Sequence, residues 1–273
     1  MKIKIIKPSV GLHDGSSFRE LLDMWDELGY CEVVAGDIPP QPWKREETQL
    51  VQSRPWVSGI GKVLLYDNPI LDKLHSDLKW EMSLWSNEVK KDENCYPWIF
   101  WPKHSKIHYK FIQQGIKKHS ERNNESVFIG SFTTQKRSGS WHTSIQNYWM
   151  GRPGGRALNN SEYLDALSHH KFGLCLPGVG PKCLRDIELI GLGTVPIFTP
   201  GVSTDYYRPL IKDKHFLYAE SPQEIRNAIE SCDKEKWNYI SNNCVEWYDE
   251  NCSPLGSFKT TMQIIEENYK GNL

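Results

Sequence analysis

An α/β protein built on parallel strands is what this sequence predicts, and three observations carry that reading. Phe172 to Leu176 is a short apolar run of the kind buried inside a parallel sheet. It stops at Pro177-Gly178-Val179-Gly180-Pro181, a loop that can turn sharply and let a ligand approach the backbone. Thr194 to Phe198 is a second strand-like run, and the residues between read as a helix. Together they form a βαβ unit with a Gly/Pro loop at the carboxyl end of its first strand, where open α/β sheets bind ligands.

Within that unit, Pro181 suits the first helical position, where a missing N–H costs nothing. Leu184, Ile187 and Gly191 share a helical face directed at the sheet. Gly191 and Gly193 end the helix. A helix N-terminus offers free N–H groups and partial positive charge, so it attracts phosphate. Helical side chains lean back towards the N-terminus, so Arg185 can reach over the loop and fork onto a diphosphate. Lys182 adds a point charge. Glu188, three residues beyond Arg185, accepts hydrogen bonds only when ionised and suits a pair of ribose hydroxyls. The plain alternative is a surface Arg185–Glu188 pair, which contributes about 0.3–0.5 kcal/mol.

The order Tyr163, Phe172, Pro177-Gly178, Arg185-x-x-Glu188, Gly193 and Pro196 resembles the signature of the exostosin-like glycosyltransferases. The resemblance covers about forty residues, with Cys183 where the family often has Ser and Thr194 where it often has Cys. It implies a GT-B fold, two Rossmann-like domains facing across a cleft, with the nucleotide sugar in the C-terminal one. It also implies that Arg185 contacts the donor diphosphate and Glu188 the ribose. Such an enzyme is an inverting transferase moving a sugar from a UDP-sugar such as UDP-xylose, UDP-glucuronic acid, UDP-galactose or UDP-GlcNAc to a glycan hydroxyl. A catalytically silent sugar- or nucleotide-binding protein is the other reading. A Rossmann oxidoreductase is disfavoured, because no Gly-x-Gly-x-x-Gly turn follows a strand.

The expected domains are residues 1–122 for the acceptor, 123–254 for the nucleotide sugar, and a last helix, 255–273, crossing back to the first. In the first, Lys2 to Ile6 reads as a strand, Ser16 to about Leu28 as a helix and Cys31 to Ala35 as a strand. Lys62 to Tyr66 reads as a third strand and Ile70 to Lys90 as a helix. Tyr96-Pro97-Trp98-Ile99-Phe100-Trp101 is dense in aromatics. Trp98 and Trp101 could stack on acceptor sugars or simply fill a core. His104 and His108 stand four apart, a metal-binding spacing without a third ligand, so surface or capping roles are expected. The polar run Arg122 to Ser126 marks the boundary, and Val127 to Gly130 opens the second domain as a strand. Gly130, Ser131 and Arg137 lie at its carboxyl end and suit phosphate or acceptor contacts, or belong to a solvated loop. Tyr206 could line the cleft. Phe216 to Tyr218 reads as a strand, Ser221 to Glu224 as a capping box with proline at the first helical position, and helices close the chain.

An inverting transfer needs a base within reach of the acceptor hydroxyl. His13 and Asp14 follow the first strand, with Asp37 and Asp67 at the ends of later ones. Asp14 or His13 leads, with Asp37 and then Asp67 behind, and each can instead serve as a cap or turn residue. No Asp-x-Asp pair occurs, so no metal or other cofactor is expected beside the nucleotide-sugar co-substrate.

The 273 residues accommodate one large or two ordinary domains. Hydrophobic content of 38 % supports a globular fold, and a net charge of −1 gives no electrostatic case for nucleic acid. No stretch reaches the roughly 20 apolar residues that span a bilayer. Seven cysteines without a CxxC pair point to reduced thiols and a cytoplasmic setting, in the manner of a soluble bacterial or viral relative.

Overall fold

A computed structural model describes residues 4–8, 15–36, 83–85, 95–130, 140–150, 158–178 and 181–268. Five parallel strands form the main sheet: β5 (Asn124–Gly130), β6 (Asn147–Met150), β7 (His170–Cys175), β8 (Val195–Phe198) and β9 (Leu217–Tyr218). Their spatial order is β6-β5-β7-β8-β9. β7 and β8 read as near-continuous apolar runs because both of their faces are covered, which is how the sequence betrays them. The order corresponds to 2-1-3-4-5 of a doubly wound sheet. The connection from β5 to β6 runs one way and those from β6 to β7 and β7 to β8 the other. Right-handed crossovers therefore put the first on the opposite face of the sheet from the other two.

Four helices are built around the β7–β8 side: α2 (Ser105–Gln113), α3 (Asn160–Ser168), α4 (Leu184–Gly191) and α6 (Lys234–Asn251). α3 and α6 both pack against α4. α5 (Pro222–Glu230) lies instead against a short 3₁₀ turn at Ser140–Ser144, which belongs to the β5–β6 connection. Asn159 caps α3 by accepting from the Glu162 amide at 2.9 Å, while the Glu162 carboxylate accepts from the Asn159 amide. α5 has proline in its first turn but lacks the expected box. The Glu224 carboxylate accepts from the Glu220 amide rather than from Ser221.

Within the polar run 122–126, Arg122 turns inward. Its side chain is buried, and Asn124 is already the first residue of β5. Its guanidinium donates to the carbonyls of Lys117, Ser168, His170 and Leu192 and to the Thr194 hydroxyl, at 2.7–3.1 Å. It thereby ties together the amino ends of β7 and β8, and burial pulls its pKa down to about 10. Phe100 and α2 also belong to the main core, with Ile107, Phe111 and Ile112 packed on it.

Residues nearer the start form a parallel β-α-β unit: β1 (Lys4–Pro8), α1 (Gly15–Glu27) and β2 (Glu32–Gly36), with Lys4 opposite Glu32. β3 (Ser83–Trp85) pairs in parallel with β4 (Cys95–Pro97), so the helix expected over 70–90 is extended at 83–85, where Leu84 and Trp85 suit a strand. The strand expected at 62–66 lies outside the described residues.

A second core holds Leu21, Leu22 and Trp25 of α1, Trp98, Ile99 and Trp101, and Ile264 of the last helix, α7 (Pro254–Asn268). Trp25 Nε1 donates to Ser257 Oγ at 2.9 Å, and Tyr30 stacks on Phe258. α7 therefore packs directly on α1. No helix among the described residues is long and apolar enough to cross a membrane.

Candidate functional site

The sheet's strand order turns outward between β5 and β7, and open α/β sheets bind ligands at such switch points, beyond the carboxyl ends of the strands. β7 ends at Cys175, and Leu176, Pro177 and Gly178 follow it, all buried. α4 begins at Leu184, three residues later than Pro181 suggests. Pro181 instead stands in the approach, its carbonyl accepting the Ser203 amide at 2.9 Å. Arg185 is thus in the first turn of α4. Beside it the Asp186 carboxylate accepts the Cys183 amide at 2.8 Å, capping the helix start.

α4 is buried from Arg185 to Gly191, so it has no solvent face. Ile187 and Leu189 are fully buried, and a Cβ on Gly173 of β7 would lie 2.4 Å from Leu189 Cδ2. Gly191 faces α2 and α6 instead of the sheet, because a Cβ there would meet His108 and Tyr248. Arg185 and Glu188, 8 % and 4 % exposed, are not the surface pair that their spacing allows.

Arg185 leans back over the carboxyl end of β5, as helical side-chain direction predicts. Its Nε donates to the Ile129 carbonyl at 3.0 Å. Its guanidinium lies over the Phe128 ring, 4.3 Å from the centroid, and Phe128 stacks on Tyr148. Gly130 makes room for it: a Cβ at that position would lie 2.9 Å from Arg185 Nη2. Nη1 is buried and has no hydrogen-bond partner among the described residues. Burial lowers the guanidinium pKa, but its neighbours, the Asp186 carboxylate among them, outweigh it and leave it raised. A buried, charged donor with one arm unused is the feature an anion would satisfy.

Glu188 is braced inward. Its Oε1 accepts the Lys103 amide at 3.0 Å and its Oε2 the Tyr163 hydroxyl at 2.8 Å. That occupation and its burial make it a clamp on residue 103 and on α3. The Tyr163 pKa stands well above its usual value, through burial and the neighbouring Glu188 carboxylate, and its hydroxyl also lies beside Arg185.

Lys182 is buried. Its Nζ donates to the Asp205 carbonyl and sits 4.3 Å above the Tyr206 ring, and burial lowers its pKa to about 7. Tyr206 is buried edge-on to Trp247, with no partner for its hydroxyl among the described residues. Trp98 and Trp101 are each 1 % exposed, and Trp98 Nε1 donates to Thr261 Oγ1 at 2.7 Å. These three aromatics are core residues here, with no ring face open to a sugar.

His108 is neither surface nor cap. It is buried, with Nε2 3.2 Å from the Glu188 carbonyl and Nδ1 3.1 Å from the Tyr248 hydroxyl. A carbonyl only accepts, so Nε2 carries the proton and Nδ1 accepts from Tyr248. No metal-binding group of three His, Cys, Asp or Glu occurs among the described residues.

Structure therefore brings Arg185, Gly130, Pro177 and Gly178 to one edge, with Glu188 behind them. His13, Asp14, Asp37, Asp67, Ser131, Arg137 and Gly180 lie outside the described residues. Sequence reasoning missed Phe128 and Tyr148 as the platform under Arg185. It also missed the Tyr163 hydroxyl as the Glu188 partner, although Tyr163 stands at the head of the signature.

No protein-family model matches the chain, and no curated protein matches it. The fold and site define an α/β protein with a Rossmann-like parallel sheet, and no narrower family is shown.

Proposed function

We propose that the chain is a glycosyltransferase that binds a nucleotide sugar, with Arg185 as the donor-diphosphate ligand. The observation that carries this is Nη1 of a buried Arg185 at the switch point of the sheet, which has no hydrogen-bond partner among the described residues. The forty-residue exostosin-like resemblance around it supplies the choice of donor, a UDP-sugar. Arg185 would neutralise the leaving diphosphate, the part of the reaction that preorganised charge serves best. Asp14, or else His13 or Asp37, would take the acceptor proton.

Within one helical turn Arg185 is accompanied by the buried carboxylates Asp186 and Glu188, and Lys182 is directed at Asp205. Among the described residues, phosphate recognition therefore falls to the Arg185 guanidinium. Screening UDP-, GDP- and TDP-sugars by thermal denaturation tests the reading. A donor at 100 times its Kd adds about 2.7 kcal/mol of stability by mass action. Absence of any shift at saturating donor rejects the assignment. Binding without donor hydrolysis or transfer identifies a silent binding protein instead.

A further inference from the structure

Arg185 and Glu188 stand three apart on α4, both buried, at a spacing that brings opposite charges together. Among the described residues no ion pair joins them. Both Glu188 oxygens are taken instead: Oε1 accepts the Lys103 amide at 3.0 Å and Oε2 the Tyr163 hydroxyl at 2.8 Å. Arg185 Nε donates to the Ile129 carbonyl, and Nη1 has no hydrogen-bond partner among the described residues.

Tyr163 serves both charges. It lies one turn into α3, which Asn159 caps and which packs on α4. Its hydroxyl has one proton, and an ionised Glu188, which only accepts, fixes where that proton goes. The oxygen's lone pairs are left for the guanidinium beside it. Carboxylate, hydroxyl and guanidinium thus form a short chain with the neutral group in the middle.

We propose that Tyr163 is a positioning residue for the Arg185 site: its hydroxyl holds Glu188 off the guanidinium and so keeps Nη1 open to an anion. The inference rests on the reading of Arg185 as a diphosphate ligand. Without the hydroxyl, Glu188 Oε2 loses its donor, and a buried carboxylate left short of a partner turns to a nearby cation. Arg185 is one turn away, so the pair closes within the protein. A guanidinium already neutralised by Glu188 has little attraction left for a diphosphate. A hydroxyl suits the middle place because it donates to the carboxylate and accepts from the guanidinium at once. Phenylalanine keeps the ring and does neither.

Calorimetry of inorganic pyrophosphate on the full chain, up to about 10 mM, tests the inference, because this probe has no ribose or base for Glu188 to contact. Tyr163→Phe should weaken pyrophosphate at least about tenfold. The double variant Tyr163→Phe/Glu188→Gln should bind it within about threefold of wild type, since a neutral amide cannot neutralise the guanidinium. A crystal structure of Tyr163→Phe should show a Glu188 oxygen within about 3 Å of the Arg185 guanidinium. Full affinity in Tyr163→Phe, no recovery in the double variant, or a Glu188 that stays clear of Arg185 overturns the proposal and leaves the donor reading standing. Wild type that does not bind pyrophosphate rejects the diphosphate role of Arg185, and the inference falls with it.

Discussion

The Arg185 guanidinium carbon lies over the Phe128 ring, 4.3 Å from its centroid, and the absence of a side chain at Gly130 keeps that contact open. A Cβ at Gly130 would lie 2.7 Å from Phe128 Cζ and 2.9 Å from Arg185 Nη2. Phe128 is fully buried and cannot swing away cheaply. Gly130→Ala should cost about 1–3 kcal/mol, the usual range for overpacking, in a urea melt. It should also weaken UDP, because the guanidinium is displaced. Unchanged stability and binding would mean that the stack is looser than described.

Arg122 should be among the least replaceable side chains. Arg122→Met would leave buried carbonyls of Ser168, His170 and Leu192 without their guanidinium donor. The expected loss is about 3–5 kcal/mol, the range for removing one partner of a buried charged network. Arg122→Lys should recover little, because one ammonium cannot replace a planar fork of donors. Denaturant midpoints of the two variants check this, and a loss below about 1 kcal/mol would contradict it.

How far the sequence was legible follows from what periodicity and turn chemistry record. β7, α4 and β8 stand out because an apolar run, a Gly/Pro loop and a glycine stop coincide, and the bounds of β7 and β8 fall within two residues of expectation. The backward lean of Arg185 follows from helical side-chain direction, though its place over β5 does not. Burial of charge was not legible. Nothing in Arg185-x-x-Glu188 says that α4 is covered on every side, so a surface pair remained open. The inward turn of Arg122 was hidden for the same reason: a polar run does not show that five acceptors from 117, 168, 170, 192 and 194 gather around it. Trp98 and Trp101 could not be assigned either, since aromatic density marks sugar sites and cores alike.

Acid should destabilise the fold through His108. Burial lowers its pKa to about 4, against an ordinary value of about 6.5 in the unfolded chain. Between those values the unfolded state binds the proton and the folded state does not, so stability falls as pH drops from about 6.5 to about 4 and levels off below. The full contribution is about 3 kcal/mol. His215, also lowered to about 4 by burial, acts in the same direction. His108→Gln should flatten that limb of a stability-versus-pH curve without abolishing it. An unchanged slope would show that His108 is protonated in the fold.

The most direct test of the proposed donor site is calorimetry of UDP and of uridine on wild type and on Arg185→Ala. Hydrogen bonds to charged groups contribute about 1.5–3 kcal/mol, so removal of the guanidinium should weaken UDP by about ten- to a hundredfold. Uridine, which has no phosphate, should bind both proteins alike. Equal weakening of the two ligands, or wild-type protein that binds neither, would contradict the assignment of Arg185 to a diphosphate and return it to the core of the fold.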